Sequence, residues 1–310
     1  MRQQPRVIAL FGPTAVGKTE VALALARRLR RAGADPVAVS ADALQVYRGL
    51  ETLTGVASAA EQQQLEHRLV SFVPISDSFS VGRYMPLAHA EIDSLLAAGR
   101  TPIVVGGTGL YLRAALAQLD LRPPPDPRVR ARLLAEAQRR GVSALHAELR
   151  ARDARAAAQI DPHDRTRVIR ALELDDLGHA APERSQLWTA HTRHPTRLIG
   201  LTMERDLLHE RIGARVTAML AAGAEREVRA ADAAGASPTA RRALGFAELL
   251  AGDADAMLRR TGQYAKRQLT WMRKLGGVEI VDVGARAPDE VARALEMIEP
   301  MVVGATSSRQ

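Results

Sequence analysis

Apolar residues fall along this chain in two rhythms. Val7–Phe11, Val37–Ser40 and Thr101–Val105 are short and almost continuously apolar. Runs of that length, rich in valine and isoleucine, predict buried strands. Between them the spacing lengthens to that of a helix. Val21, Leu25 and Leu29 predict a helix over Glu20–Arg31, and Leu87, Ile92 and Leu95 predict another over Gly82–Ala98. Strands alternating with helices predict an α/β fold, a mostly parallel sheet covered on both faces. Ligands of such sheets gather beyond the carboxyl ends of the strands. Three polar stretches follow these strands directly: the loop ending at Lys18-Thr19, Asp42, and Gly106-Gly107-Thr108-Gly109. One rim is expected to carry all three.

The rhythm changes at Arg122-Pro123-Pro124-Pro125-Asp126-Pro127, a stiff extended linker or turn. Arg128 to about Leu177 then reads as almost wholly helical, with breaks at Gly141 and Asp161-Pro162. This predicts a helical insertion over 122–191 inside a core built from 1–121 and 192–310. Gly178–Pro195 reads as loop and Arg197–Met203 as a strand returning to the sheet. Helices are expected over Glu204–Leu220, Ala224–Ala234 and Asp255–Lys274, with a helix start at Ser237-Pro238. Val278–Val281 reads as a last strand and Ser307–Gln310 as a polar tail.

Composition narrows the classes. A chain of 310 residues, 46% hydrophobic, buries a large core and has room for two domains. Lysine and arginine outnumber aspartate and glutamate by 43 to 35, a net charge of +8. That balance fits a polyanionic partner such as nucleic acid, and equally a soluble arginine-rich protein. Cysteine is absent, which excludes disulfides, thiolate catalysis and cysteine zinc sites. Pro5 and the glycine-rich loop interrupt the first apolar run, and no stretch reaches membrane-spanning length. A soluble, cytoplasmic monomer is the expectation.

Gly12-Pro13-Thr14-Ala15-Val16-Gly17-Lys18-Thr19 fits the phosphate-loop pattern G-x-x-x-x-G-K-[ST] between a strand and a helix. Its glycines let the backbone bend round an anion. Successive amides and the helix start then face phosphate oxygens. Lys18 adds a point charge, and Thr19 a hydroxyl for Mg²⁺. The loop alone leaves open whose phosphates it holds. Asp42 suits a general base, a ligand to a Mg²⁺-bound water, or a helix cap. Thr108 suits a contact to an anion, a support for Asp42, or a simple turn. Gln45 has the donor and acceptor a base edge needs, as does any surface amide. Arg167 and Arg170, three apart, share a helix face and can converge on one anion or serve salt bridges. Trp271 reads as core packing rather than a base-stacking platform.

Taken in order, several stretches resemble the tRNA dimethylallyltransferases, also called tRNA isopentenyltransferases. Gly12–Thr19 is similar to that family's G-P-T-A-S-G-K-T, and Ser40–Gly49 to its D-S-x-Q-x-Y-x-G. Phe79–Tyr84 stands in the place of Y-S-x-x-x-F, and Gly106–Tyr111 is G-G-T-G-L-Y. Arg165–Leu174 contains R-V-I-R-A-L-E, and Tyr264–Trp271 resembles Y-A-K-R-Q-x-T-W. The resemblance runs from Gly12 to about Arg273, nearly the whole chain.

The resemblance implies a phosphate-loop NTPase-like sheet with a helical insertion that contacts tRNA. It implies transfer of a dimethylallyl group from dimethylallyl diphosphate to N6 of adenosine 37, in the anticodon stem-loop of tRNAs reading codons that begin with U. The loop Gly12–Thr19 would then hold the donor's diphosphate, with Mg²⁺ on Thr19. Asp42 and Thr108 would be the catalytic pair. Asp42, Ala43, Leu44, Gln45, Thr108, Arg130, Thr166, Arg167, Arg170, Arg241, Arg242, Lys266 and Arg267 fall where the family contacts tRNA. Three positions depart from its pattern. Ala43 replaces a serine after Asp42. Thr54-Gly55-Val56 replaces T-A-K, so a lysine is missing. Leu65–Leu69 keeps one histidine of P-H-H-L. Competing readings are a phosphate-loop small-molecule kinase, an adenylate prenyltransferase, and a catalytically silent tRNA-binding homologue.

Overall fold

The expected strands all form; the first four are runs buried largely on both faces, and the last, Val278–Val281, lies at the sheet edge with Ile280 exposed. The computed structural model describes residues 6–179 and 186–298; the tail Ser307–Gln310 and part of the Gly178–Pro195 loop lie outside them. The strands are β1 (Val7–Phe11), β2 (Pro36–Ser40), β3 (His67–Arg68), β4 (Thr101–Gly106), β5 (Thr196–Thr202) and β6 (Val278–Asp282). They make one sheet in the order β3-β2-β4-β1-β5-β6, every neighbouring pair parallel. β1 is central and wholly buried, with Phe11 beside Gly106 on one side and Gly200 on the other. Its carboxyl end therefore opens between those of β4 and β5, where the phosphate loop begins. β3, two residues long, is too short to be read from periodicity.

Helix Lys18–Arg31 covers one face of the sheet. It buries Val21–Ala26 and Leu29 in a cluster with Ile8, Leu10, Ile103, Ile199, Val291 and Leu295. Helix Val81–Ala97 buries Tyr84, Ala88, Ile92 and Leu95. Those positions are four, four and three apart and form one stripe. Leu87, expected in that stripe, is one residue off it and is 41% exposed.

Ser237-Pro238 does not open an α-helix. The Ser237 amide donates to Ile75 O at 2.9 Å and the Thr239 hydroxyl meets Tyr47 Oη at 2.6 Å. These long-range ties leave only a 3₁₀ turn at Ala240–Arg242, before the helix Phe246–Leu250.

Two compact units emerge: Asp120–Gln186, and the rest of the chain. The smaller contains helices Pro127–Arg140, Val142–Arg152, Ala154–Ala158 and Arg165–Asp176 round a core of Leu133, Leu145, Leu149, Val168, Ile169 and Leu172. The extra break at Asp153 is a helix cap, its carboxylate accepting from the Ala156 amide at 2.8 Å. Residues 187–191, expected in the insertion, group with the larger unit. Trp188 packs on Trp271 with ring centroids 4.6 Å apart, and the buried Arg113 donates to His191 O at 3.0 Å. Among the described residues no helix is long and apolar enough to cross a membrane.

Candidate functional site

The turn after β1 is shaped by two left-handed residues, Ala15 at φ 65° and Gly17 at φ 97°. Glycine at 17 adopts that conformation freely, whereas Ala15 does so at about 1–2 kcal/mol. Gly12 is required by space: a Cβ there would lie 2.9 Å from Leu201 O and from Val16 Cγ1. The Lys18 ammonium lies under the loop, donating to Gly12 O at 2.9 Å and Pro13 O at 2.8 Å. Burial foremost, then the Arg215 guanidinium, lower its pKa to about 8, while Asp42 and Glu20 pull the other way. Thr19 sits partly buried in the first turn of the helix that starts at Lys18.

Asp42 and Thr108 follow β2 and β4 on the same rim, and the structure brings them together. Thr108 Oγ1 donates to Asp42 Oδ2 at 3.3 Å. Asp42 Oδ1 accepts from the Leu44 amide at 2.9 Å and the Gln45 amide at 3.4 Å. The carboxylate is thus oriented by both its own turn and the neighbouring strand's loop. Tyr264 reaches Thr108 Oγ1 from the long helix Ala254–Lys274, at 3.3 Å. Burial, reinforced by Asp42, raises the Tyr264 pKa to about 12, so its hydroxyl stays protonated at neutral pH.

Other candidates are already engaged within the protein. Gln45 Oε1 accepts from Ser40 Oγ at 2.9 Å and its Nε2 donates to Gly55 O at 2.9 Å. Both ends of the amide are occupied in this state. Arg170 and Arg167 do not converge. Arg170 turns to Glu173 at 3.1 Å, where Arg130 joins it at 3.0 Å, and Glu173 is fully buried. Arg167 stays exposed beside Asp164 at 3.3 Å, and Thr166 is exposed. Arg241 pairs with Asp232 and lies over the Phe246 ring at 5.5 Å. Arg242, Lys266 and Arg267 are exposed, Arg267 over the Tyr264 ring at 5.7 Å. Ala43 and Leu44 are partly buried beside Asp42. Trp271 packs against Gly109 as well as Trp188.

Periodicity did not single out Arg211 and Arg215, four apart on helix Arg205–Ala221. A Cβ on Gly17 would lie 3.8 Å from both terminal nitrogens of Arg211, and one on Gly55 only 1.8 Å from Arg215 Nη2. Gly55 stands in the stretch that lacks a lysine, and a guanidinium fills the space above it. Burial lowers the Arg215 pKa, with Glu20, Asp42 and Glu61 opposing. The signal available in the sequence was the four-residue arginine spacing, which looks like any solvated helix face.

The site therefore combines a loop of the phosphate-binding pattern, partly buried cations and an oriented carboxylate. Comparisons with known proteins place nearly the whole chain beside one family. The IPP transferase family profile matches residues 45–275. A tRNA dimethylallyltransferase of Thermobifida fusca (strain YX) is 41% identical, over 94% of this chain and 94% of that protein. One of Anaeromyxobacter sp. (strain K) is 42% identical, over 95% and 98%. The crystal structure of a full-length tRNA isopentenylpyrophosphate transferase from Bacillus halodurans is 34% identical with a TM-score of 0.68, covering 96% of this chain and 95% of that one. With the family profile matching most of its length and relatives this similar over nearly all of it, this chain belongs to the IPP transferase family.

Proposed function

We propose that this chain transfers the dimethylallyl group of dimethylallyl diphosphate to N6 of adenosine 37 in the anticodon stem-loop of tRNAs reading codons that begin with U. The observation that carries the reading is the Asp42–Thr108 pair on the rim that also carries the loop Gly12–Thr19 with Lys18 beneath it. The named relatives supply the acceptor class.

In the proposed reaction the amino nitrogen attacks C1 of the donor. The C1–O bond breaks, and its electron pair leaves with the diphosphate. Loop amides, Lys18, Arg211 and Arg215 face the charge that builds on the leaving oxygens. Asp42 takes the proton that N6 must lose, and Thr108 keeps its carboxylate aimed. No cluster of three or more histidine, cysteine or acidic side chains able to hold a metal occurs among the described residues. Mg²⁺ keeps several waters and binds largely through phosphate oxygens, so it needs few protein ligands. Thr19 would hold it, where it neutralises diphosphate charge.

The adenine must leave its stack, at a few kcal/mol. Arg241, Arg242, Lys266, Arg267 and the exposed arginines of the helical unit, Arg167 among them, would hold the RNA through phosphates, binding that weakens with salt. The protein would act as a cytoplasmic monomer.

The test is incubation with labelled dimethylallyl diphosphate, Mg²⁺, and either unmodified tRNA or AMP. Label in tRNA and not in AMP is expected. Label in AMP alone would refute the acceptor assignment, and ATP turnover without prenyl transfer would point to a kinase.

A further inference from the structure

We infer that Gln268 is a positioning residue that fixes the spacing between the donor loop and the Asp42–Thr108 pair. The inference rests on the function proposed above. Gln268 is 4% exposed and spends both ends of its amide on the two loops. Its Oε1 accepts from the Thr14 amide at 2.8 Å, and its Nε2 donates to Gly107 O at 2.7 Å. Thr14 is the third residue of the phosphate loop, and Gly107 immediately precedes Thr108. One planar carboxamide thus spans the loops that would hold the leaving group and the base.

The surroundings leave this bridge no slack. A Cβ at Gly107 would lie 2.3 Å from Gln268 Nε2 and 3.5 Å from Lys18 Nζ, so glycine alone lets the amide reach the strand end beside the ammonium. Tyr264, one turn earlier on the same helix face, binds Thr108, and Trp271, nearly one turn later, closes on Gly109. Helix Ala254–Lys274 therefore holds β4's loop at three successive points, and only Gln268 reaches across to the donor loop. Lys266 and Arg267, between these residues in sequence, are exposed. A displacement of about 1 Å between reacting groups is enough to lose about a hundredfold in rate. An amide shared by the two loops sets that distance.

The test uses Gln268→Leu and Gln268→Glu in the full chain. Glutamate keeps an acceptor for Thr14, loses the donor to Gly107, and places a carboxylate near Lys18. Both variants are compared at a temperature where circular dichroism shows them folded; if leucine does not fold, glutamate carries the test. Three quantities are read: turnover with saturating substrates, affinity for inorganic diphosphate with Mg²⁺ by calorimetry, and affinity for the RNA stem-loop. Turnover is expected to fall about a hundredfold. Diphosphate affinity is expected to fall about tenfold in the glutamate variant, from like-charge repulsion. RNA affinity is expected to change less than about twofold, because the amide is buried between the two loops while its neighbours Lys266 and Arg267 are exposed.

Unchanged turnover and diphosphate affinity in the folded glutamate variant would overturn the inference, as would an equal loss of affinity for both ligands. If the wild-type protein transfers no label, the proposed reaction fails and the spacing role falls with it; label transfer by the wild type with undiminished turnover in the folded variants overturns the spacing role alone.

Discussion

Lys18 offers a quantitative test, because the neighbouring charges that modulate the effect of its burial can be removed one at a time. Burial and Arg215 bring its pKa down to about 8, against the opposing pull of Asp42 and Glu20. A lysine is charged below its pKa, so the free enzyme loses this charge as pH rises through about 8. The protonated fraction is about 90% at pH 7 and about 10% at pH 9. If only the charged form captures the donor, kcat/KM for dimethylallyl diphosphate falls nearly tenfold over that interval, since this ratio reports groups of the free enzyme.

Two variants shift the limb in opposite directions. Arg215→Ala removes the repelling guanidinium, so the limb moves to higher pH even though donor binding weakens overall. Asp42→Asn removes the attracting carboxylate, so the limb moves to lower pH. The assay is label incorporation at subsaturating donor and saturating RNA, with Mg²⁺ fixed, from pH 6.5 to 9.5. A flat profile across pH 7–9 would refute the electrostatic reading of Lys18. So would an Arg215→Ala limb that stays where the wild-type limb lies.

Three further outcomes follow from the geometry. Asp42→Asn retains an acceptor for the Leu44 amide, so the protein should stay folded and bind both substrates while turnover falls about 10²–10⁴-fold, read in single-turnover label transfer. Gly55→Ala places a methyl 1.8 Å from Arg215 Nη2 at φ 64°. It should cost about 1–2 kcal/mol in a urea melt and weaken diphosphate binding by displacing the guanidinium, with RNA affinity preserved. In the helical unit, removing both Arg130 and Arg170 strands the buried Glu173 carboxylate and should cost about 3–5 kcal/mol. Glu173→Ala should cost less, because its arginines are partly exposed and can turn to water; denaturation followed by circular dichroism compares the two.

What could be read from the chain was local. Val7–Phe11 and Thr101–Val105 announce buried strands because their side chains need no partner of a particular kind, only burial. The glycines and Lys18 announce a phosphate loop because its backbone shape depends on residues adjacent in sequence. Asp42 and Thr108 were legible for a related reason: each follows a strand, and parallel strands bring their ends to one rim. Tertiary pairings were not legible in this way. Arg167 and Arg170 share a helix face, yet Glu173 three residues on captures Arg170 and leaves Arg167 in solvent. The Gly55 gap is filled by Arg215, 160 positions later in the chain. Ser237-Pro238 carries a good local helix signal, overridden by the bond from Thr239 to Tyr47. At Gly55 and at Ser237-Pro238 a contact distant in sequence decides the outcome, and at the latter it outweighs a local preference worth about 1 kcal/mol or less.

The most direct measurement is to digest tRNA after incubation with the purified protein, dimethylallyl diphosphate and Mg²⁺, and to identify the altered nucleoside and its position by mass spectrometry. One dimethylallyl unit on N6 of adenosine 37, formed together with one diphosphate and about 10²–10⁴-fold more slowly with Asp42→Asn, is the result the account predicts. Unmodified tRNA under conditions where the protein binds both substrates, or a prenyl group on any other atom, would contradict it.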